Sequence, residues 1–570
     1  MQRCAHLTKC RRAAATMFTL GITLSNTISA SAEPAHYVVF EIEAGGPAMP
    51  VFYQQVDLAV SDSTQRAIAS VESSGEKRIV FHRWFAGADL GEDSIEWPQL
   101  IRGEFAHESG DLAAIDHIMI RDARRAFVLR LPMRSADAVE FKVGAAVTRF
   151  DLRAIAAIAD QLPLAGVVPA MSVRRGALVG SPANRVDMLI MGDGYTAAQQ
   201  TAFVNNAAAL RDTFFALTPY KEYESFVNWT TGFVASTQSG ADHPPYQAGC
   251  TQTTCCADAS ANGDPLAGLQ VDTAFDARYC TSQTQRLLTV NTSKVLAAAA
   301  AYPNWDKIAI LVNDTTYGGS GGTLSVTSVN AQARQIFLHE YGHSFSGLAD
   351  EYSTAYPGFP ACSDTAGSSP CEPNVTNQTS AALVKWSSWF TPGIAIPTPP
   401  GTSGVGLFEG ARYQMSGVYR PVDNQCLMRF LGQPFCPVCR EAYLRKLYKG
   451  GFGAPSSGID LIEPGSESPP SATVVNYAAG SNRVFQATLL APSIGRVNAQ
   501  WYLDGNPIGG ATAASYVFSQ ANPTPVSHTL QLRVVDPSSY ISGVVASGLP
   551  VHQRTWTISV TDVIFRNGFD

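Results

Sequence analysis

Charge is scarce in this 570-residue chain: Asp, Glu, Lys and Arg together supply 15% of it, and Lys and Arg never gather in a block of five or more. With a net charge of −7, it lacks the electrostatic footprint that nucleic acid or acidic lipid demands. No uninterrupted apolar run of 18 residues occurs, so no segment reads as a membrane-spanning helix. Repeats at solenoid or propeller period are also absent. What the chain does have is apolar material, 45% hydrophobic residues, which suffices for buried cores and confines disorder to linkers. At roughly 100 to 200 residues per domain, about three domains are expected.

Arg3, Lys9, Arg11 and Arg12 open the chain with no acid among them, an apolar stretch from Ala13 to Leu24 follows, and Ala30-Ser31-Ala32 offers small residues for cleavage. This pattern predicts a secretory signal peptide over residues 1–32. The apolar stretch is too short for a membrane anchor and is interrupted by Ser25 and Asn26. Cleavage after Ala32 would deliver a secreted or periplasmic protein and take the net charge from −7 to −11.

The expected fold class is multidomain α+β. Residues 33–168 alternate short apolar runs, such as Tyr37-Val38-Val39-Phe40, with polar turns, which predicts a β-rich N-terminal domain. Residues 169–450 change character. Val186 to Met191 reads as a strand running into Gly192-Asp193-Gly194 and then a helical pattern through Leu217. That Gly-x-Gly lacks the third glycine of a dinucleotide site, so it is read as a chain turn. Ile308 to Asn313 reads as a buried strand, Asn330 to Gly347 as a capped helix, and Pro437 to Lys449 as a final helix. Residues 353–410, rich in Pro, Gly, Ser and Thr, predict long irregular loops. A linker over 451–470 would lead to an Ig-like β-sandwich and tail over 471–570, with Trp501 in its core.

The segment His339-Glu340-Tyr341-Gly342-His343 points to metal chemistry. Positions i and i+4 share one helix face, so both imidazoles can reach one zinc ion while Glu340 sits beside them as a general base for water. Two histidines leave a catalytic zinc short of a third protein ligand. Asp350 and Glu351 follow the helix stop at Gly347. Two acids at the negative end of a helix dipole are poorly placed unless a cation lies near. Asp350 is the preferred third ligand and Glu351 its rival.

The string His339 to Tyr352 resembles the immunoglobulin-A peptidase family of secreted zinc metallopeptidases, which is metzincin-like. Met191 to Thr196, Val312 to Gly319, Gly417 to Pro421, Cys426 to Arg429 and Phe435 to Cys439 extend the likeness over roughly residues 35–450. The resemblance implies a zincin-like α/β catalytic domain, endopeptidase activity, one catalytic zinc on His339, His343 and Asp350, and Glu340 as the catalytic glutamate. Relative to the metzincin spacing, Gly347 and Asp350 each lie one residue further from His343. Met428 resembles the methionine turn beneath the metal in metzincins, with Met415 as the alternative. Tyr352, Tyr419 and Arg420 are candidates to stabilise the developing oxyanion. The glycine-rich loop 317–322 is a candidate exposed edge for an extended substrate.

Nine cysteines remain after leader removal. In an exported protein they predict up to four disulfides and one cysteine left over, with Cys362 and Cys371 as a local pair. For Cys436-x-x-Cys439 a disulfide is favoured over a redox or structural-zinc site. The expected partner is a protein or peptide substrate, immunoglobulin A by analogy. The competing reading is an adhesin-like protein that keeps a zincin fold and meets a surface or glycan through its C-terminal domain. Retention of Glu340, which does chemistry without binding metal, favours the enzyme.

Overall fold

The computed structural model describes residues 32–43, 46–59, 78–96, 101–106, 115–120, 124–143, 146–175, 178–355, 359–365, 370–450, 458–520, 527–542, 549 and 551–561. The predicted leader, up to Ser31, and the tail from 562 lie outside the described residues. The fold is mixed α+β, rich in sheet and with few helices.

Near the N-terminus, the strand Ala32–Ile42 lies between Ala48–Ala59 and Arg125–Pro132 in an antiparallel sheet. Its side chains alternate between two cores. Val38, Phe40 and Ile42 pack with Phe127 and Phe141, while Ala35, Tyr37 and Val39 face the layer that follows. Burial on both faces explains the unbroken apolar run that marks this strand in the sequence.

A six-stranded sheet forms the centre, in the order Ser172–Arg175, Val227–Phe233, Val186–Asp193, Lys307–Val312, Ser325–Ser328, Gly319–Ser320. The four inner strands are parallel and both edge strands antiparallel. Met188 and Ile190 point to one face, and Leu189 and Met191 to the other. On the first face pack the helices Gln200–Ala216, Ala333–Ser346 and Pro437–Lys449; Thr292–Ala298 covers the second. Gly194 takes φ +70° and its Cα approaches the Gly240 backbone so closely that a Cβ would clash, a turn only glycine makes easily.

The helix expected from Asn330 begins at Ala333, because the Asn330 side chain instead accepts the Gln332 amide at 2.9 Å in a turn ahead of it. Its end matches expectation. Gly347 is left-handed at φ 65°, and the amides of Gly347 and Leu348 return to the carbonyls of His343 and Gly342.

Toward the C-terminus lie a five-stranded sheet, Val474–Ala478, His552–Thr561, Ser527–Val535, Asn498–Leu503 and Asn506–Pro507 in spatial order, and a two-stranded sheet of Arg483–Gln486 with Ser515–Phe518. Trp501 is fully buried between them and stacks on Trp556. From residue 458 onward the stretch expected as linker is packed chain. Ile459, Leu461 and Ile462 are buried, and the Ile459 amide bonds the Leu447 carbonyl at 2.9 Å. Tyr223 and Tyr448 both donate to Asp536, so these sheets share one apolar core with the helical face of the central sheet.

Candidate metal centre

The helix Ala333–Ser346 drives Phe337 and Tyr341 into an aromatic cluster with Phe214 and Tyr220. This packing fixes its rotation. His339, Glu340 and His343 are also buried, but among polar groups. The left-handed turn at Gly347 reverses the chain and returns Asp350 to the two imidazoles. Their Nε2 atoms lie 2.9 Å apart, and Asp350 Oδ1 stands 3.0 Å from His339 Nε2 and 3.1 Å from His343 Nε2.

Each Nδ1 meets a backbone carbonyl, Leu427 at 3.0 Å for His339 and Leu348 at 2.6 Å for His343. A carbonyl only accepts, so both Nδ1 atoms carry the proton and both Nε2 atoms turn lone pairs toward each other and toward a carboxylate. Such a convergence of electron pairs repels itself unless a cation lies within it. Tetrahedral ligand bonds of about 2.0–2.1 Å separate neighbouring donor atoms by roughly 3.3 Å, close to the spacing here. Two imidazoles and a carboxylate suit zinc.

The surroundings support the same geometry. Asp350 Oδ2 accepts the Tyr413 hydroxyl at 2.6 Å, and the Tyr352 ring stacks parallel to His339 with 6.0 Å between centroids. Burial, then Arg102, lowers the pKa of His343, which keeps it neutral. Met428 is fully buried beneath the helix, where a Cβ on Gly342 would stand 3.0 Å from its Sδ. Met415, the alternative, is 74% exposed.

Glu351 does not join this cluster. Its Oε1 accepts from Asn374 Nδ2 at 3.0 Å and lies 3.6 Å from Cys439 Sγ. Tyr419 and Arg420 are also directed elsewhere. Tyr419 pairs by backbone with Thr376 and interacts with Glu409, while Arg420 binds Asp423 and the carbonyls of Glu409 and Gly410. Tyr413, in contrast, escaped notice in the sequence. It lies 63 residues from Asp350 with no motif around it. Arg412 and Tyr413 form the tight turn between Phe408–Ala411 and Gln414–Arg420 with φ 53° and 59°, values that non-glycine residues rarely adopt. Their amides bond the carbonyls of Asp350 and Tyr352, which holds the strained turn against the site.

The Glu340 carboxylate lies 3.4 Å from Arg102 Nε, next to Gly321, where any Cβ would overlap it. Residues 318–322 are buried, not exposed as expected. The strand Ile101–Ala106 runs antiparallel to them. The Arg102 amide donates to the Gly321 carbonyl at 3.1 Å, and the Gly321 amide returns a bond at 2.8 Å.

The cysteines also depart from expectation. Among the described residues there are three disulfides, Cys250–Cys255, Cys256–Cys280 and the anticipated Cys362–Cys371. Cys426, Cys436 and Cys439 are free and buried. Cys436 caps the helix Pro437–Lys449, where its Sγ accepts the Cys439 amide, so the pair faces inward toward Cys426 without bridging.

Residues 177–403 match the IgA peptidase M64 family. The matched span contains His339, Glu340, His343 and Asp350 and ends before Met428 and the three free cysteines. The matched family is one of peptidases, hence of hydrolases. A comparison with curated proteins finds none that matches. Among solved structures, a quinonprotein alcohol dehydrogenase-like protein of Bacteroides thetaiotaomicron is 11% identical over 18% of this chain and 19% of its own, with a TM-score of 0.13. A β-glucuronidase of Bacteroides uniformis is 9% identical over 94% of this chain and 58% of its own, with a TM-score of 0.14. The chain thus spans about a fifth and under two thirds of these two proteins. At such scores the likeness carries no argument about fold or activity.

Proposed function

We propose that this protein is an exported zinc metalloendopeptidase. Its parts would be a leader over 1–32, a β-rich module over 33–168, a zincin-like catalytic domain over 169–450 and an Ig-like C-terminal module over 471–570. Export agrees with three disulfides and with the lack, among the described residues, of any helix long and apolar enough to cross a membrane. The observation that carries the reading is the convergence of His339, His343 and Asp350, with both Nε2 lone pairs turned inward and Glu340 on the same helix.

A zinc ion held by these three residues would supply Lewis-acid polarisation of a peptide carbonyl and acidify water at neutral pH. Glu340 takes the proton from the attacking water and returns it to the leaving amine. Tyr413 and the carbonyls of Leu427 and Leu348 hold the ligands in register, and the Met428 side chain supports the helix from below. An extended substrate beside Gly319–Gly321 takes the place that Arg102 holds, which brings its carbonyl next to Glu340. Immunoglobulin A, or another extracellular protein, is the proposed substrate class.

The experiment is zinc analysis and proteolysis of casein and immunoglobulin A by wild type, Glu340→Gln and Asp350→Ala. Loss of cleavage with zinc retained in Glu340→Gln, and loss of zinc in Asp350→Ala, is the expected result. Full cleavage by Glu340→Gln would overturn the mechanism.

A further inference from the structure

Glu351, Cys426, Cys436 and Cys439 converge from three separate segments, and one donor atom from each lies within 4.8 Å of the others. All four residues are buried. Cys426 and Cys439 place their sulfurs 3.6 Å apart, and Cys439 Sγ stands 3.6 Å from Glu351 Oε1. A disulfide needs sulfurs at about 2.05 Å. Tetrahedral zinc–thiolate bonds of about 2.3 Å put neighbouring sulfurs roughly 3.75 Å apart. The observed spacing is too long for a disulfide and matches that of ligands around an ion.

Two further observations point the same way. The second carboxylate oxygen of Glu351 is buried with no hydrogen-bond partner, a costly state for a carboxylate unless a cation claims it. Three thiolates and a carboxylate also leave excess negative charge around a divalent ion. Arg429 donates to the Glu351 carbonyl at 2.6 Å, and the guanidinium charges of Arg420 and Arg429 both act on the Glu351 carboxylate from nearby. The site therefore brings its own counter-charge.

We infer that these four residues form a second, structural zinc site of the Cys3Glu type, built back to back with the histidine centre. Each thiol gives its proton to solvent as its sulfur binds the metal, and no redox change is involved. All four protein ligands are present, so the site is closed, as structural zinc sites are. Its role follows from chain connectivity. Glu351 adjoins Asp350, and Cys426 adjoins Leu427, whose carbonyl receives His339 Nδ1. A metal tying Glu351 and Cys426 to the start of the helix Pro437–Lys449 fixes both the third ligand of the histidine centre and the acceptor that orients its first.

The test uses the full exported chain and zinc itself. Elemental analysis should give two zinc ions per wild-type chain and one in His339→Ala/His343→Ala, which leaves every cysteine in place and avoids a folding defect at the thiols. Alkylation after unfolding in chelator should label three thiols per chain. Reconstitution of the double variant with cobalt should give the thiolate-to-metal charge-transfer band that histidine and carboxylate ligands cannot produce. A double variant without zinc, or a chain with one alkylatable thiol and a disulfide among Cys426, Cys436 and Cys439, overturns the inference. Either outcome leaves the proteolysis experiment on Glu340→Gln unaffected.

Discussion

Asp350 and Glu351 are neighbours in sequence and opposites in structure. Asp350 faces two imidazoles whose Nε2 lone pairs point inward, beside Glu340 and the edge of the central sheet. Glu351 turns to three thiols in a sealed pocket. A third cluster sharpens the contrast. His243 is as buried as His339, yet both of its ring nitrogens meet carboxylates, Asp264 at 2.7 Å and Asp314 at 3.0 Å. With an acceptor on each side it is held protonated, and an imidazolium cannot bind a metal. Residue type alone does not make a metal ligand; the partner of the second nitrogen decides.

The largest effect is expected at Glu340. Glu340→Gln should lower kcat about 10³-fold, the range of a general base, with zinc content unchanged. A rate within a factor of ten of wild type would erase the proposed distinction between a reactive histidine cluster and a sealed thiol cluster.

Next comes His243. Burial disfavours its charge, but Asp314 and Asp264 outweigh burial and raise its pKa. The stabilisation it supplies is thus complete below its unfolded value of about 6.5 and is lost as pH rises through the raised folded value. His243→Ala should cost about 3 kcal/mol in acid and remove that pH dependence from urea denaturation midpoints measured across the same range, while metal content stays the same. A variant whose stability still falls with rising pH as wild type does would show that His243 is not the group responsible.

Tyr413→Phe removes only the hydroxyl that bonds Asp350 Oδ2. Loss of such an outer contact should cost about 10-fold in zinc affinity or activity, read by competition with a chelator. Cys439 lies outside this contact, so thiol reactivity should not change.

The smallest effect concerns access. Arg102→Pro deletes the amide that bonds Gly321 and so loosens the strand lying on the edge Gly319–Gly321, where we propose that substrate binds. The Michaelis constant for a protein substrate should fall several-fold, and a rise would mean that this strand helps to bind substrate.

Much of this was legible in the sequence because it depends on local order. The five-residue histidine motif, Gly347 as its stop and the unbroken apolar strand Val186 to Met191 all express short-range periodicity. The preference for Asp350 over Glu351 also rested on local spacing, and the structure turns Asp350 to the histidines. Tyr413, Arg102 and the free cysteines could not be read this way. Their partners lie 63, more than 200 and up to 88 residues away, and no spacing rule spans such distances. The Cys-x-x-Cys pair suggested a disulfide, but its position at a helix N-terminus turned both sulfurs toward a third cysteine.

The order of residues by itself therefore determined which donors exist, that His339 and His343 share one helix face, and where that helix ends. Only the tertiary structure decided which nitrogen of each histidine keeps its proton, which of two adjacent carboxylates joins them, and what covers the edge beside Glu340. The reason is physical: helix periodicity acts over about four residues, whereas tautomers and charges are set by whatever carbonyl, carboxylate or guanidinium the folded chain brings within roughly 3 Å of them.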